Sequence, residues 1–162
     1  MLGMNTLGKL YLGSDPASVT VNDDQLVITL ADGRAVAIPL QLVSQFSQEE
    51  SLPAETRLLI VRNPPKIDHV HVTESALKVY FQDGRMLSSP LAWFPRLLHG
   101  TSAERNHYEL SGDDDVIHWP DLDEDIDLTR LLEGGNSVES ERSIQRWLAL
   151  RRTASVASIA VD

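Results

Sequence analysis

The sequence predicts an α+β fold in which antiparallel β-meanders from two related units pack together, with short helices at the C-terminal end. Three observations carry that expectation: a repeated strand pattern, a glycine-centred turn inside each copy, and helix signals concentrated after the second copy. Residues 19–46 align with residues 70–97 without gaps, at an offset of 51. Val19, Val21, Leu26, Asp32, Gly33, Arg34, Pro39 and Leu40 recur as Val70, Val72, Leu77, Asp83, Gly84, Arg85, Pro90 and Leu91. So many identities in one short window mark an internal duplication.

Each copy reads as a meander. Leu26, Ile28 and Leu30 alternate with more variable residues, as do Leu77, Val79 and Phe81. A period of two signals half-buried strands, and the Asp-Gly that follows signals a hairpin. Register decides the turn. A two-residue loop would set Ile28 opposite Ala37 and Val79 opposite Ser88. A three-residue loop ending on Gly33 or Gly84 instead pairs Ile28 with Val36 and Val79 with Leu87, which gathers the larger apolar side chains on one face. Glycine then stands at the left-handed position, where it costs least. On this reading Asp and Gly are turn chemistry, and Arg34 and Arg85 are ordinary strand-start residues.

Between the copies, Ser44 to Pro53 reads as a loop or short helix. Arg57 to Arg62 reads as a buried strand, and Asn63-Pro64-Pro65 forces a break. The expected organisation is a first repeat unit over 1–65, a second unit over 66–152 and a flexible tail over 153–162. After the second copy, Trp93 to Arg105 suggests short helical turns, with Thr101 and Glu104 forming a capping box. His107 to Leu110 and Val116 to Trp119 read as strands joined by Ser111-Gly112-Asp113-Asp114. Leu128 to Glu133 reads as a short helix stopped by Gly134-Gly135. Asn136 with Glu139 then caps a last helix reaching about Arg152.

Composition narrows the function classes. An apolar share of 42% supports a real core. The absence of cysteine excludes disulfides, thiolate metal sites and a cysteine nucleophile, and fits a cytoplasmic setting. The first twelve residues lack the apolar segment of a signal peptide, and no apolar run is long enough to span a membrane. A formal charge of −10 repels phosphate backbones and points instead to a basic partner.

Three stretches together carry a family resemblance: Asp83-Gly84-Arg85, Pro90-Leu91-Ala92-Trp93-Phe94-Pro95-Arg96-Leu97, and Ile117-His118-Trp119-Pro120-Asp121-Leu122-Asp123-Glu124-Asp125-Ile126. With Leu131-Leu132 and Glu141 to Arg152, they resemble the bacterial family known as domain of unknown function 2442, over residues 70–152. The resemblance implies a small α+β domain and an association with partner proteins in toxin–antitoxin-like pairs. It carries over no catalytic residue. Residues 17–46 look like a degenerate first copy, in which Gln41-Leu42-Val43-Ser44 replaces Ala92-Trp93-Phe94-Pro95.

Candidate sites follow from charge and aromatic placement. Glu109 to Asp127 holds nine carboxylates and no Lys or Arg. Asp121, Asp123, Glu124 and Asp125 superficially resemble a calcium loop, but neither the turn glycine nor the terminal glutamate is present. His69 and His71 share one face of a strand as a metal pair could, yet lack an identifiable third ligand. His118 could act as an acid or base but has no nucleophile motif to serve.

The expectation is therefore a non-enzymatic interaction module, antitoxin-like or an assembly subunit, with no cofactor, metal or catalytic group. Its binding residues would be Trp93, Phe94, Asp121, Asp123, Glu124 and Asp125, facing a basic protein. The alternative is a nucleic-acid-associated regulator using Arg142, Arg146 and Arg151 on the last helix, which with residues 128–135 has a helix-turn-helix outline. Oligomeric state and partner identity are not encoded in any motif.

Overall fold

The computed structural model describes residues 14–42 and 66–159, so the loop, strand and proline break expected over 44–65 lie outside the described residues. The first copy supplies β1 (Pro16–Val21), β2 (Gln25–Leu30) and β3 (Ala35–Pro39). The second supplies β4 (Ile67–Val72), β5 (Ala76–Phe81) and β6 (Met86–Pro90). All six join one antiparallel sheet in the order β1-β2-β3-β6-β5-β4.

The hairpins adopt the three-residue register. Ile28 pairs with Val36, and Val79 pairs with Leu87. In the first copy Leu30 N donates to Arg34 O at 2.8 Å and Gly33 N to Leu30 O at 3.1 Å; Phe81, Arg85 and Gly84 repeat this at 3.0 and 2.9 Å. Gly33 and Gly84 take φ of 93° and 89°, the left-handed region that a Cβ disfavours.

The two copies meet edge to edge at β3 and β6, and their pairing is reciprocal. Val36 pairs with Leu87, its own counterpart at the offset of 51, while Ala35 pairs with Ser88 and Ala37 with Met86. A local two-fold axis therefore passes through the Val36–Leu87 pair. The turns obey it too: a Cβ on Gly33 would lie 3.1 Å from Pro90 Cγ, and one on Gly84 would lie 3.1 Å from Pro39 Cγ. The same edge is used on both sides, as in an isologous interface, but within one chain.

What packs on the sheet is not symmetric. A 3₁₀ turn (Leu91–Trp93), α1 (Pro95–His99), α2 (Ser102–Asn106) and a second sheet of β7 (Glu109–Ser111), β8 (Val116–Trp119) and β9 (Glu124–Asp127) follow the second copy. Leu91, Phe94, Leu97, Ile117, Trp119, Leu122, Ile126, Leu128 and Leu131 form one core cluster with the large sheet. Leu77 and Val79 are fully buried by it, while their counterparts Leu26 and Ile28 are only half-buried. Polar links add to this packing. Val70 N donates to the Tyr108 hydroxyl at 2.9 Å and Ile67 N to Asp114 O at 3.2 Å, while Trp119 Nε1 donates to Arg105 O at 3.0 Å between β8 and α2.

Thr101 and Glu104 form the expected capping box on α2. Helix α3 (Leu128–Leu132) ends where expected, with Gly134 at φ 85°. Helix α4 (Glu141–Ile159) departs from expectation at both ends. It starts late because Ser140 Oγ, not Asn136, receives an amide, that of Ser143 at 3.2 Å; Glu139 is held by Arg96 instead. It also continues past Arg152 through residues expected to be a loose tail. Residues 133–140 are thus a connector longer than a helix-turn-helix turn, and that outline does not form.

Candidate functional site

The small sheet sorts its residues by face. Glu109 pairs with His118 and His118 with Asp125; Ser111 pairs with Val116 and Val116 with Asp127. These rows face outward. Leu110, Ile117 and Ile126 form an inward row, and Trp119 with Glu124 forms another. Asp125 and Asp127 are exposed while Glu124 and Ile126 are buried, the alternation that a pleated strand imposes. Turn chemistry accounts for part of the acidity. Asp114 and Asp123 sit at φ 61° and 51°, a region that Asp tolerates better than most residues.

The expected binding carboxylates divide among different partners. Asp121 meets His107 Nδ1 at 2.6 Å, and this carboxylate raises the imidazole's pKa above its usual value. Asp125 meets His118 Nδ1 at 2.7 Å across the β8–β9 pair. Asp123 accepts from Arg96 Nη1 at 2.9 Å but stays largely in solvent. All three remain on the surface. Glu124 does not: it is 8% exposed, and none of the described residues donates a hydrogen bond to its carboxyl group. Burial pushes its pKa up to about 7, opposed by the charge of Arg96.

The aromatic half of the expected surface is also redistributed. Phe94 is 2% exposed and belongs to the core, so its ring is not offered to a partner. Trp93 is half-buried beneath the Arg34 guanidinium, 5.8 Å from the ring centre. On α4, Arg142 and Arg146 are exposed. Arg151 instead reaches Glu104 at 2.7 Å and lies 4.6 Å over Trp147. The Arg151 hydrogen bond, helped by Thr101, pulls the Glu104 pKa down to about 2. His69 stacks on Tyr80 at 4.4 Å and contacts Asp68 at 2.7 Å. Among the described residues no three His, Asp or Glu side chains are grouped to hold a metal ion.

Three arginines that the sequence reading passed over organise the region. Arg96 donates through Nε and Nη2 to Glu139, both at 2.7 Å, and through Nη1 to the carbonyls of Leu122 and Asp123, both at 3.0 Å. It also lies 5.4 Å from the Trp147 ring centre, so one side chain joins α1, the β8–β9 turn, the connector and α4. Arg105 donates to the carbonyls of Leu97 and Leu98 at the end of α1. Arg34 is fully buried, pairs with Asp32 at 2.8 Å and donates to the carbonyls of Leu131 and Leu132 at the end of α3. Helix ends leave such carbonyls without internal partners, and cations are favoured there. Its counterpart Arg85 keeps the Asp83 contact at 2.6 Å but has no helix end to bind among the described residues.

A cleft opens beside Glu124. It is lined by Phe94, Glu124, Arg130, Leu131, Asn136 and Ser137 among others, with room for roughly one water-sized group. Arg130 closes one side by donating to Asn136 O.

Fold and site together define an α+β protein built on a duplicated meander, with an acidic accessory sheet packed on its second copy. Residues 67–137 match the family described as "Protein of unknown function (DUF2442)". The match spans β4 through the connector, so it includes the second copy and the small sheet but neither the first copy nor α4. No curated protein and no solved structure matches the chain.

Proposed function

We propose that the chain is a non-enzymatic protein-interaction module, antitoxin-like or an assembly subunit, that binds a basic partner through the outer face of its small sheet. The observation that carries this reading is the outward row of Glu109, His118 and Asp125. The acidic turns Asp113 to Asp115 and Asp121 to Asp123 extend it, and no Lys or Arg occurs between Glu109 and Asp127. A predominantly acidic platform of this kind, even with His107, His118 and Arg96 among its carboxylates, steers an oppositely charged partner and selects against wrong ones. A cytoplasmic setting, suggested by the absence of cysteine, belongs to the same proposal. Among the described residues no helix is long and apolar enough to cross a membrane.

The test is partner capture from the host at low and moderate salt, with wild type beside a Glu109→Lys, Asp125→Lys variant. The expected result is a basic protein retained by wild type and lost by the variant, with capture weakening as salt rises. Unchanged capture by the variant would defeat the proposal. Nucleic-acid binding through α4 is less favoured, because Arg151 is committed to Glu104 and Trp147. It would surface here as co-eluting nucleic acid that disappears in Arg142→Ala, Arg146→Ala.

A further inference from the structure

We propose that the cleft beside Glu124 is a socket for one cationic side-chain head of the basic partner, an ammonium in particular. This inference rests on the acidic-face reading and adds to it a buried recognition point. A charge on an exposed platform gives attraction but little affinity, because solvent screens it. A carboxylate at 8% exposure, turned into a cleft and lacking a hydrogen-bond donor among the described residues, is a different object. Its oxygens are not fully enclosed and open to solvent at the cleft, so an arriving N–H donor meets an acceptor that is only partly hydrated.

Size and charge define what fits. The cleft has room for roughly one water-sized group, far less than a site for a cofactor or drug-sized molecule. It suits a single side-chain terminus. Ser137 and Asn136 also line it and carry oxygen acceptors, the kind of group an ammonium with three N–H groups uses. Two cations face Glu124, Arg96 from α1 and Arg130 from α3. Arg96 is already committed to Glu139 and Asp123, and Arg130 to Asn136 O. Glu139 from the connector and Asp125 from β9 face Glu124 with negative charge, which keeps the surroundings hospitable to a cation. Asp125, which is exposed on the outer acidic face, also lines the cleft. A partner docked on that face can therefore send one lysine around the β9 edge into the socket.

The chemistry sets a direction for pH. Only ionised Glu124 accepts fully from an ammonium, so occupancy grows as pH rises through the carboxyl group's own titration near neutrality. An occupying cation in turn favours the ionised form and drags that titration to lower pH.

The experiment uses the full chain with Glu124 carboxyl and backbone amide signals followed by NMR. n-Butylammonium chloride serves as the probe, and tetramethylammonium chloride, which has no N–H, as the matched salt. The expected result is saturable shifts at Gly135, Asn136 and Ser137 with n-butylammonium alone. The Glu124 midpoint should fall by on the order of one pH unit at saturation. Glu124→Gln should abolish both responses. Equal responses to the two salts, no response, or a response that survives in Glu124→Gln would overturn the socket. Failure of the acidic face is read elsewhere, in capture by Glu109→Lys alone, a position on the outer face that does not line the cleft.

Discussion

Glu124→Gln should stabilise the protein in a pH-dependent way. Burial lifts the carboxyl pKa from 4.5 to about 7, so the folded chain holds this proton more tightly than the unfolded chain does. Between those values the native state binds more protons, and stability falls as pH rises through the window. At about 1.4 kcal/mol per pKa unit, the ionised carboxylate costs on the order of 3 kcal/mol once pH exceeds the folded value. Glutamine keeps the shape of the neutral acid and cannot ionise. Urea unfolding of wild type and variant should therefore give nearly equal stability near pH 4.5, with the variant ahead by about 2–3 kcal/mol near pH 8.5. Groups with their own shifts, Glu104 held low by Arg151 and His107 held high by Asp121, titrate alike in both proteins and cancel in the difference. An advantage that is the same at both pH values would refute the buried, donor-less placement of Glu124.

The local two-fold and its breakdown yield further expectations. Arg34→Ala should cost about 3–5 kcal/mol, because it strands Asp32 and two helix-end carbonyls in a buried site. Arg85→Ala, which releases only Asp83 among the described residues, should cost about 1–3 kcal/mol in the same urea assay; equal losses would contradict the asymmetry. Gly33→Ala and Gly84→Ala should each lower stability by about 1–2 kcal/mol and by similar amounts, since both combine left-handed φ with a proline across the two-fold. Arg96→Ala should loosen α4, visible as faster amide hydrogen exchange over Glu141 to Arg152 with little change in β5; unchanged exchange would remove Arg96 from its organising role.

The turn register was legible because two independent signals agreed: apolar alternation in Ile28 and Val79, and glycine where φ must be positive. The join between the copies was not. Backbone edge pairing needs no particular side chain, so nothing in Ala35 to Ala37 announces Met86 to Ser88 as its partner. The acidic segment misled for a related reason. Glu124-Asp125-Ile126-Asp127 alternates like a strand only if Glu124 counts as an inward residue, and a glutamate is ordinarily read as solvated. Arg34 and Arg105 bind backbone carbonyls far along the chain, an acceptor that carries no residue signature. Phe94 shows the limit of aromatic composition as a guide to surfaces, since it fills the core.

The duplication also explains why the acidic sheet is single. The two-fold ends at the turns, and the elements described beyond Pro90 follow the second copy alone, reaching the first through Arg34 and the shared core. Val19 is 38% exposed where Val70 is 8%, the direct consequence of that one-sided packing.

The central claim, that the outer face of the small sheet recruits a basic protein, is tested most directly by capture with the Glu109→Lys, Asp125→Lys chain beside wild type. A basic protein that elutes with wild type, weakens with salt and is absent from the variant is the predicted outcome. The same protein on both chains, or nucleic acid in its place, would contradict it.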